Sequence, residues 1–269
     1  MQHTSEVNIE TVPVLILCGG VGARIKEETE FRPKPMVPIG QHPILWHVMK
    51  SYARHGFRRF VLCLGFRADY VVNYFRNFAA LNCDCTINLR TNKVTVHERI
   101  QDLDWDVTLI FTGEQNQTGS RVAQAARQYL GSSGVFAVTY GDGLTDADLG
   151  EELAFHVSHG KIGTVLGVNP PSRFGELHLE GNTVVEFTEK PDLRQTWING
   201  GYFFFQREFL SYLCEAPECV LERTPLKKLA GDRQLAILKH SGFWACMDTQ
   251  RDREQLIRMV ERGETPWLG

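Results

Sequence analysis

The sequence predicts an α/β fold, a Rossmann-like and mostly parallel sheet with helices on both faces, carrying a β-rich insertion and a β-rich C-terminal part. Three observations predict it. Strand-like apolar runs alternate with helical patterns from Val12 to Val168, the first run stops abruptly on glycines, and after Pro170 the pattern turns to short strands. Alternation demands crossover connections, and crossovers make neighbouring strands parallel and bury them on both faces.

The elements follow in order. Val12–Leu17, Phe60–Leu64, Val107–Phe111, Val135–Tyr140 and Gly163–Val168 are continuous apolar runs of strand length. Between them, Pro43–His55, Ala68–Ala79, Ser120–Leu130 and Leu149–His159 repeat apolar residues at helical spacing. Residues 81–106 read as the β-rich insertion. Gly181-Asn182 marks a tight turn between strands Glu176–Leu179 and Val184–Phe187, and the aromatic run Tyr202–Phe205 is a buried strand. No internal repeat or interdomain linker interrupts the chain, so a single domain over residues 1–269 is expected.

Composition narrows the function classes. The 269 residues carry a net charge of −3, with 43% hydrophobic and 23% charged residues, as in ordinary globular proteins. No overall basic field exists to neutralise a polynucleotide backbone, so no nucleic-acid partner is expected. The first eleven residues lack a signal-peptide apolar core and no membrane-length apolar run occurs. A soluble, cytoplasmic protein with no membrane partner is expected. Of seven cysteines only Cys83 and Cys85 lie close together, without a second pair or histidine at zinc spacing, so reduced thiols are expected. His47, His55, His156 and His159 fall in helical patterns and read as ordinary helix positions. Asp102, Asp104 and Asp106 open like a calcium loop but lack its glycine and terminal glutamate.

The first strand runs into Gly19, Gly20 and Gly22, with Arg24 and Lys34 following. Glycines let backbone N–H groups close on an anion, and the two cations add charge-assisted contacts, so the loop suits a di- or triphosphate. It is neither a P-loop, which needs Gly-Lys-Ser/Thr, nor the dinucleotide fingerprint, whose third glycine would fall on Ile25. Asp142, between Gly141 and Gly143 at a strand end, is either a turn residue or a ligand for an oxygen-seeking cation. Asp248 repeats that placement after Phe243–Met247. Gln117–Arg121 opens a helix, with Thr118 or Ser120 as a candidate cap.

In order along the chain stand Gly19-Gly20-Val21-Gly22-Ala23-Arg24, Pro33-Lys34-Pro35-Met36, Tyr140-Gly141-Asp142-Gly143, Arg173-Phe174-Gly175, Phe187-Thr188-Glu189-Lys190-Pro191, Asn199-Gly200-Gly201 and Met247-Asp248-Thr249. This series resembles the sugar-1-phosphate nucleotidylyltransferases almost from end to end, and most of all their CTP-using members. The resemblance implies a nucleotide-binding half, about residues 12–168, and a sugar-binding half, about residues 169–269. It also implies transfer of a cytidylyl group from CTP to α-D-glucose 1-phosphate, giving CDP-glucose and pyrophosphate. A different nucleotide or sugar, or a non-catalytic nucleotide-sugar-binding relative, are the alternatives.

By the same resemblance, Leu17, Gly19, Gly20, Gly22, Ala23, Arg24, Lys34, Thr118, Gly119 and Arg121 bind the nucleotide, while Gly175, Glu189, Lys190, Asn199 and Gly200 bind the sugar. Arg24, Lys34 and Asp142 are the implied catalytic residues, Mg²⁺ is the implied cofactor on Asp142 and Asp248, and a homo-oligomer is the implied assembly. Three positions depart from the family pattern. Cys18 replaces alanine, Ala23 replaces a threonine hydroxyl in the phosphate loop, and Gly119-Ser120-Arg121 replaces Gly-Gly-Arg. The first ten residues extend beyond the usual family start.

Overall fold

A computed structural model describes residues 7–20, 29–97, 103–170, 176–188 and 196–269. In its first half lie β1 (Pro13–Cys18), β2 (Pro38–Ile39), β3 (His42–Pro43), α1 (Ile44–Ala53), β4 (Arg59–Leu64), α2 (Ala68–Arg76), α3 (Phe78–Asn82), β5 (Cys85–Asn88), β6 (Lys93–Val96), β7 (Asp106–Phe111) and α4 (Thr118–Tyr129). The second half holds β8 (Val135–Tyr140), β9 (Gly143–Thr145), α5 (Leu149–His159), β10 (Gly163–Val168), β11 (Glu176–Glu180), β12 (Thr183–Thr188), β13 (Ile198–Gln206), α6 (Thr224–Gly231), β14 (Leu235–His240), β15 (Trp244–Cys246) and α7 (Gln250–Glu261).

One sheet of seven strands, ordered β14-β10-β13-β8-β1-β4-β7, runs through both halves. Strands β8, β1, β4 and β7 pair in parallel, as do β10 and β14, while β13 runs antiparallel between β8 and β10. That reversal has a consequence for the site. The N-terminal end of β13, with Asn199 opposite Gly167, lies at the carboxyl end of β10, the same edge on which Gly19 and Asp142 follow β1 and β8.

Both faces of the central strands β1, β4 and β8 are buried, as their unbroken apolar runs predict, while the edge strands β7 and β14 are partly exposed. Val14, Ile16, Phe60, Leu62, Ala137 and Phe204 face one core, which also holds the inner sides of α1 and α5 and the buried Trp267. Leu15, Leu17, Val61, Val138, Phe203 and Phe205 face the other, under α4. Alternate residues of each strand thus divide between two cores.

Two expected elements differ in detail. The pattern Ala68–Ala79 is two helices broken at Asn77, whose side-chain amide donates to the Asn73 carbonyl and so competes with the helical ladder. Neither Thr118 nor Ser120 caps α4. Gln117 is the N-cap and makes no side-chain capping bond. The hydroxyls tie the helix to residues 215–222 instead: Thr118 donates to Glu222 at 2.8 Å, and Ser120 to the Glu215 carbonyl at 2.9 Å. The inserted segment does form a hairpin, β5 with β6.

Candidate active site

Lys34 reaches the sheet edge because the segment around it is stiff. Pro33 and Pro35 flank it in a short 3₁₀ turn, and Pro35 packs so closely on Gly141 that a Cβ there would lie 2.8 Å from the proline ring. From this turn the Lys34 ammonium donates to Asp142 Oδ2 at 2.5 Å and to Asp248 Oδ1 at 2.7 Å. Asp142 follows β8. Asp248 follows β15, which pairs with β9, and the Met247 amide donates to the Asp142 carbonyl at 2.9 Å, locking the two loops together. A capping box at the start of α7, Thr249 with Asp252, fixes the backbone on the far side of Asp248. Two aspartates 106 positions apart in sequence thus share one ammonium.

The electrostatics follow from that contact. Burial alone lowers the pKa of Lys34, but the charge and hydrogen bond of Asp142, joined by the bond to Asp248, more than reverse it and hold the lysine protonated. Asp142, Asp248 and Cys246 each offer a ligand atom, all within 4.8 Å of one another. Burial first, then the charge of Asp142, pushes the Cys246 thiol up, so it stays neutral beside the carboxylates. Two hard oxygen donors at a place where the protein already stabilises positive charge suit a divalent cation of the magnesium type.

Beside this cluster lies a cavity of about 260 Å³ lined by Leu17, Gly19, Gly20, residues 114–117, Thr118 and Arg121. Leu17 joins the two regions, since its carbonyl lies 3.0 Å from where a Gly141 Cβ would stand. Among the described residues nothing lies within 4 Å of a Cβ built on Gly20, whereas a Cβ on Gly19 would strike the Arg121 guanidinium at 2.1 Å. Arg121 is buried, and both terminal nitrogens of its guanidinium are spent on the protein. It donates to the carbonyls of Leu64, Gly19 and Glu114 and to the Thr112 hydroxyl. Its guanidinium therefore clamps the turns after β1, β4 and β7, a role its sequence position did not suggest. Gly119 is buried against Cys219.

On the opposite side, Asn199 accepts the Gly201 amide at 2.8 Å, and the Gly200 carbonyl accepts the Trp244 indole N–H at 2.7 Å. Trp244 itself pairs with Thr145 across β15 and β9, which ties this loop to the aspartate cluster. Its contribution was missed in the sequence. Gly22, Ala23, Arg24, Gly175, Glu189 and Lys190 lie outside the described residues.

The nucleotidyl transferase family model matches residues 13–225, most of the chain. The chain belongs to the nucleotidyl transferase family. It is 39% identical over 253 residues to the glucose-1-phosphate cytidylyltransferase of Salmonella typhi, covering 94% of this chain and 97% of that protein, and the same figures hold for the protein of that name from Salmonella typhimurium. Among solved structures, HddC from Yersinia pseudotuberculosis aligns with a TM-score of 0.65 at 20% identity, over 93% of this chain and 99% of that one, which establishes the shared fold. Nucleotidyl transferases of this family take a nucleoside triphosphate and a sugar 1-phosphate and generally use a divalent metal. No helix among the described residues is long and apolar enough to cross a membrane.

Proposed function

We propose that the chain transfers the cytidylyl group of CTP to α-D-glucose 1-phosphate, forming CDP-glucose and pyrophosphate. The observation that carries this reading is the Lys34 ammonium between Asp142 and Asp248 beside a glycine-walled cavity, in a chain alike nearly throughout to glucose-1-phosphate cytidylyltransferases.

The chemistry needs alignment more than activation. A sugar phosphate oxygen is already an anion at neutral pH, so neither a general base nor a covalent nucleophile is required. It attacks the α-phosphorus of CTP while the bond to the β-phosphate oxygen breaks and pyrophosphate leaves. Lys34, held protonated at the edge of the cavity, would meet charge developing on the reacting phosphates. The backbone at Gly19 and Gly20 would approach the phosphates, with Arg24 on the β- and γ-groups. Thr118 and Gly119 would border the base, and Arg121 would act from behind by holding the loop. Gly175, Glu189, Asn199 and Gly200 would serve the sugar, and Lys190 would offset repulsion between two anionic substrates. Asp142 and Asp248 would hold Mg²⁺, which when bound supplies neutralisation of phosphate charge. The protein is further proposed to work in the cytoplasm as a homo-oligomer, a mass that light scattering on the purified chain reads directly.

Pyrophosphate release from CTP and glucose 1-phosphate tests the reading, with UTP, dTTP, GTP and mannose 1-phosphate as competitors. Turnover is expected to be fastest for CTP with glucose 1-phosphate. Faster turnover of another pair would move the assignment to that pair, and none with any pair would sink it.

A further inference from the structure

Glu222 belongs to no motif of the sequence and stands outside the aspartate cluster, yet it joins the two sides of the site. One carboxylate oxygen accepts the Thr118 hydroxyl at 2.8 Å, and the other accepts the Tyr140 phenol in a very short hydrogen bond. Thr118 lines the cavity beside Gly19 and Gly20, and its own oxygen accepts the Leu221 amide at 2.9 Å, so its hydroxyl proton is committed to Glu222. Tyr140 ends β8 two residues before Asp142. Its ring fills the space beside Gly201, where φ is +82° and a Cβ would stand 2.5 Å from the ring. The phenol is held protonated, chiefly by burial and then by the charge of Glu222, so it remains a donor. The half-buried carboxylate thus has one oxygen on the helix bordering the cavity and the other on the ring that shapes the Asn199–Gly201 loop.

We infer that Glu222 is a positioning residue that sets the nucleotide side and the sugar side of the site relative to each other, through Thr118 and Tyr140 respectively. This rests on the proposed transfer reaction. A carboxylate accepting two hydroxyls holds each more firmly than a neutral acceptor would, and the two links can be cut separately. Thr118→Val removes the first, Tyr140→Phe the second, and Glu222→Gln keeps the shape but removes the charge and leaves one acceptor oxygen for the two hydroxyls.

The experiment measures kcat, the KM of each substrate and the melting temperature for wild type and the three variants. Thr118→Val should raise the KM for CTP several-fold and leave that for glucose 1-phosphate near wild type. Tyr140→Phe should do the reverse. Glu222→Gln should raise both, by about tenfold, the scale set by hydrogen bonds to a charged group. Variants that lower the melting temperature with both KM values unchanged, or that raise both equally whichever link is cut, would overturn the inference in favour of a structural role. Should Glu222→Gln not fold, the split between the other two decides alone. Failure of the underlying reaction is separately visible, because wild type would then release no pyrophosphate from CTP and glucose 1-phosphate. If wild type prefers another nucleotide, the same split is expected with that nucleotide.

Discussion

Two carboxyl settings in this molecule differ in almost every respect. Asp142 and Asp248 lie in loops at the sheet edge, with side chains 22% and 32% exposed, and share the Lys34 ammonium. Glu152 lies in α5 and is wholly buried, and neither of its oxygens finds a hydrogen-bond partner among the described residues. Burial raises its pKa to about 8, so at neutral pH the folded protein keeps it mostly as a neutral acid beneath Tyr52 and Tyr202. The first setting places two loop carboxylates on one ammonium. The second keeps a carboxyl group uncharged by excluding water. Loop carboxylates remain available to a ligand, while an interior one costs stability whenever it ionises.

The largest expected effect comes from breaking the paired setting. Asp142→Asn and Asp248→Asn should each lower turnover by at least about 10²-fold while the melting temperature stays close to wild type, since both side chains lie in loops at the sheet edge. Pyrophosphate release across a Mg²⁺ titration reads this. Near-normal rates at limiting Mg²⁺ would remove the metal assignment. Lys34→Ala should cost roughly 10²–10³ in rate, the scale for one charge at a developing anion. It also leaves two facing carboxylates without their ammonium, so added Mg²⁺ should raise the melting temperature of the variant more than that of wild type. An equal rise in both would mean that lysine and cation occupy separate places.

The smallest effect concerns Glu152 and sharpens the comparison from the buried side. Its folded pKa, about 8, lies above the ordinary 4.5, so the folded state keeps a proton that the unfolded chain has released. Stability from this group therefore falls as pH rises from 4.5 through 8. His47 and His156, held neutral by burial with pKa values near 4, act with opposite sign, but only below about 6.5. Between pH 6.5 and 8 the slope of melting temperature should thus be negative in wild type and flatter in Glu152→Gln, with the variant more stable at pH 8. Parallel slopes would show that Glu152 is not the proton-holding group.

The strands were legible because a doubly covered parallel sheet requires uninterrupted apolar runs, and β1, β4, β7, β8 and β10 all lie within a residue of their expected bounds. The hairpin of β11 and β12 was legible from Gly181-Asn182. Placing Lys34, Asp142 and Asp248 together needed the family resemblance, since each alone reads as well as a loop charge. Other features were hidden. Glu152 sits one residue after Glu151 in what looks like an acidic first helical turn, and only the direction of the α5 stripe, Leu149, Glu152, Leu153 and His156, shows that it points inward. Arg121 resembles a free cation near a phosphate loop until its carbonyl partners are seen.

What the chain by itself determined is local: apolar period, turn chemistry and the glycine and proline positions that stiffen the loops. Those follow from interactions between residues close in sequence. What only the tertiary structure decided is which distant groups meet. Lys34 lies between Asp142 and Asp248, Arg121 beneath Gly19, and Glu222 between Thr118 and Tyr140. The physical reason is that a charge is stabilised by whatever lies within a few ångströms of it. In a crossover fold that is the set of loops gathered at one sheet edge, from segments up to 214 residues apart in sequence.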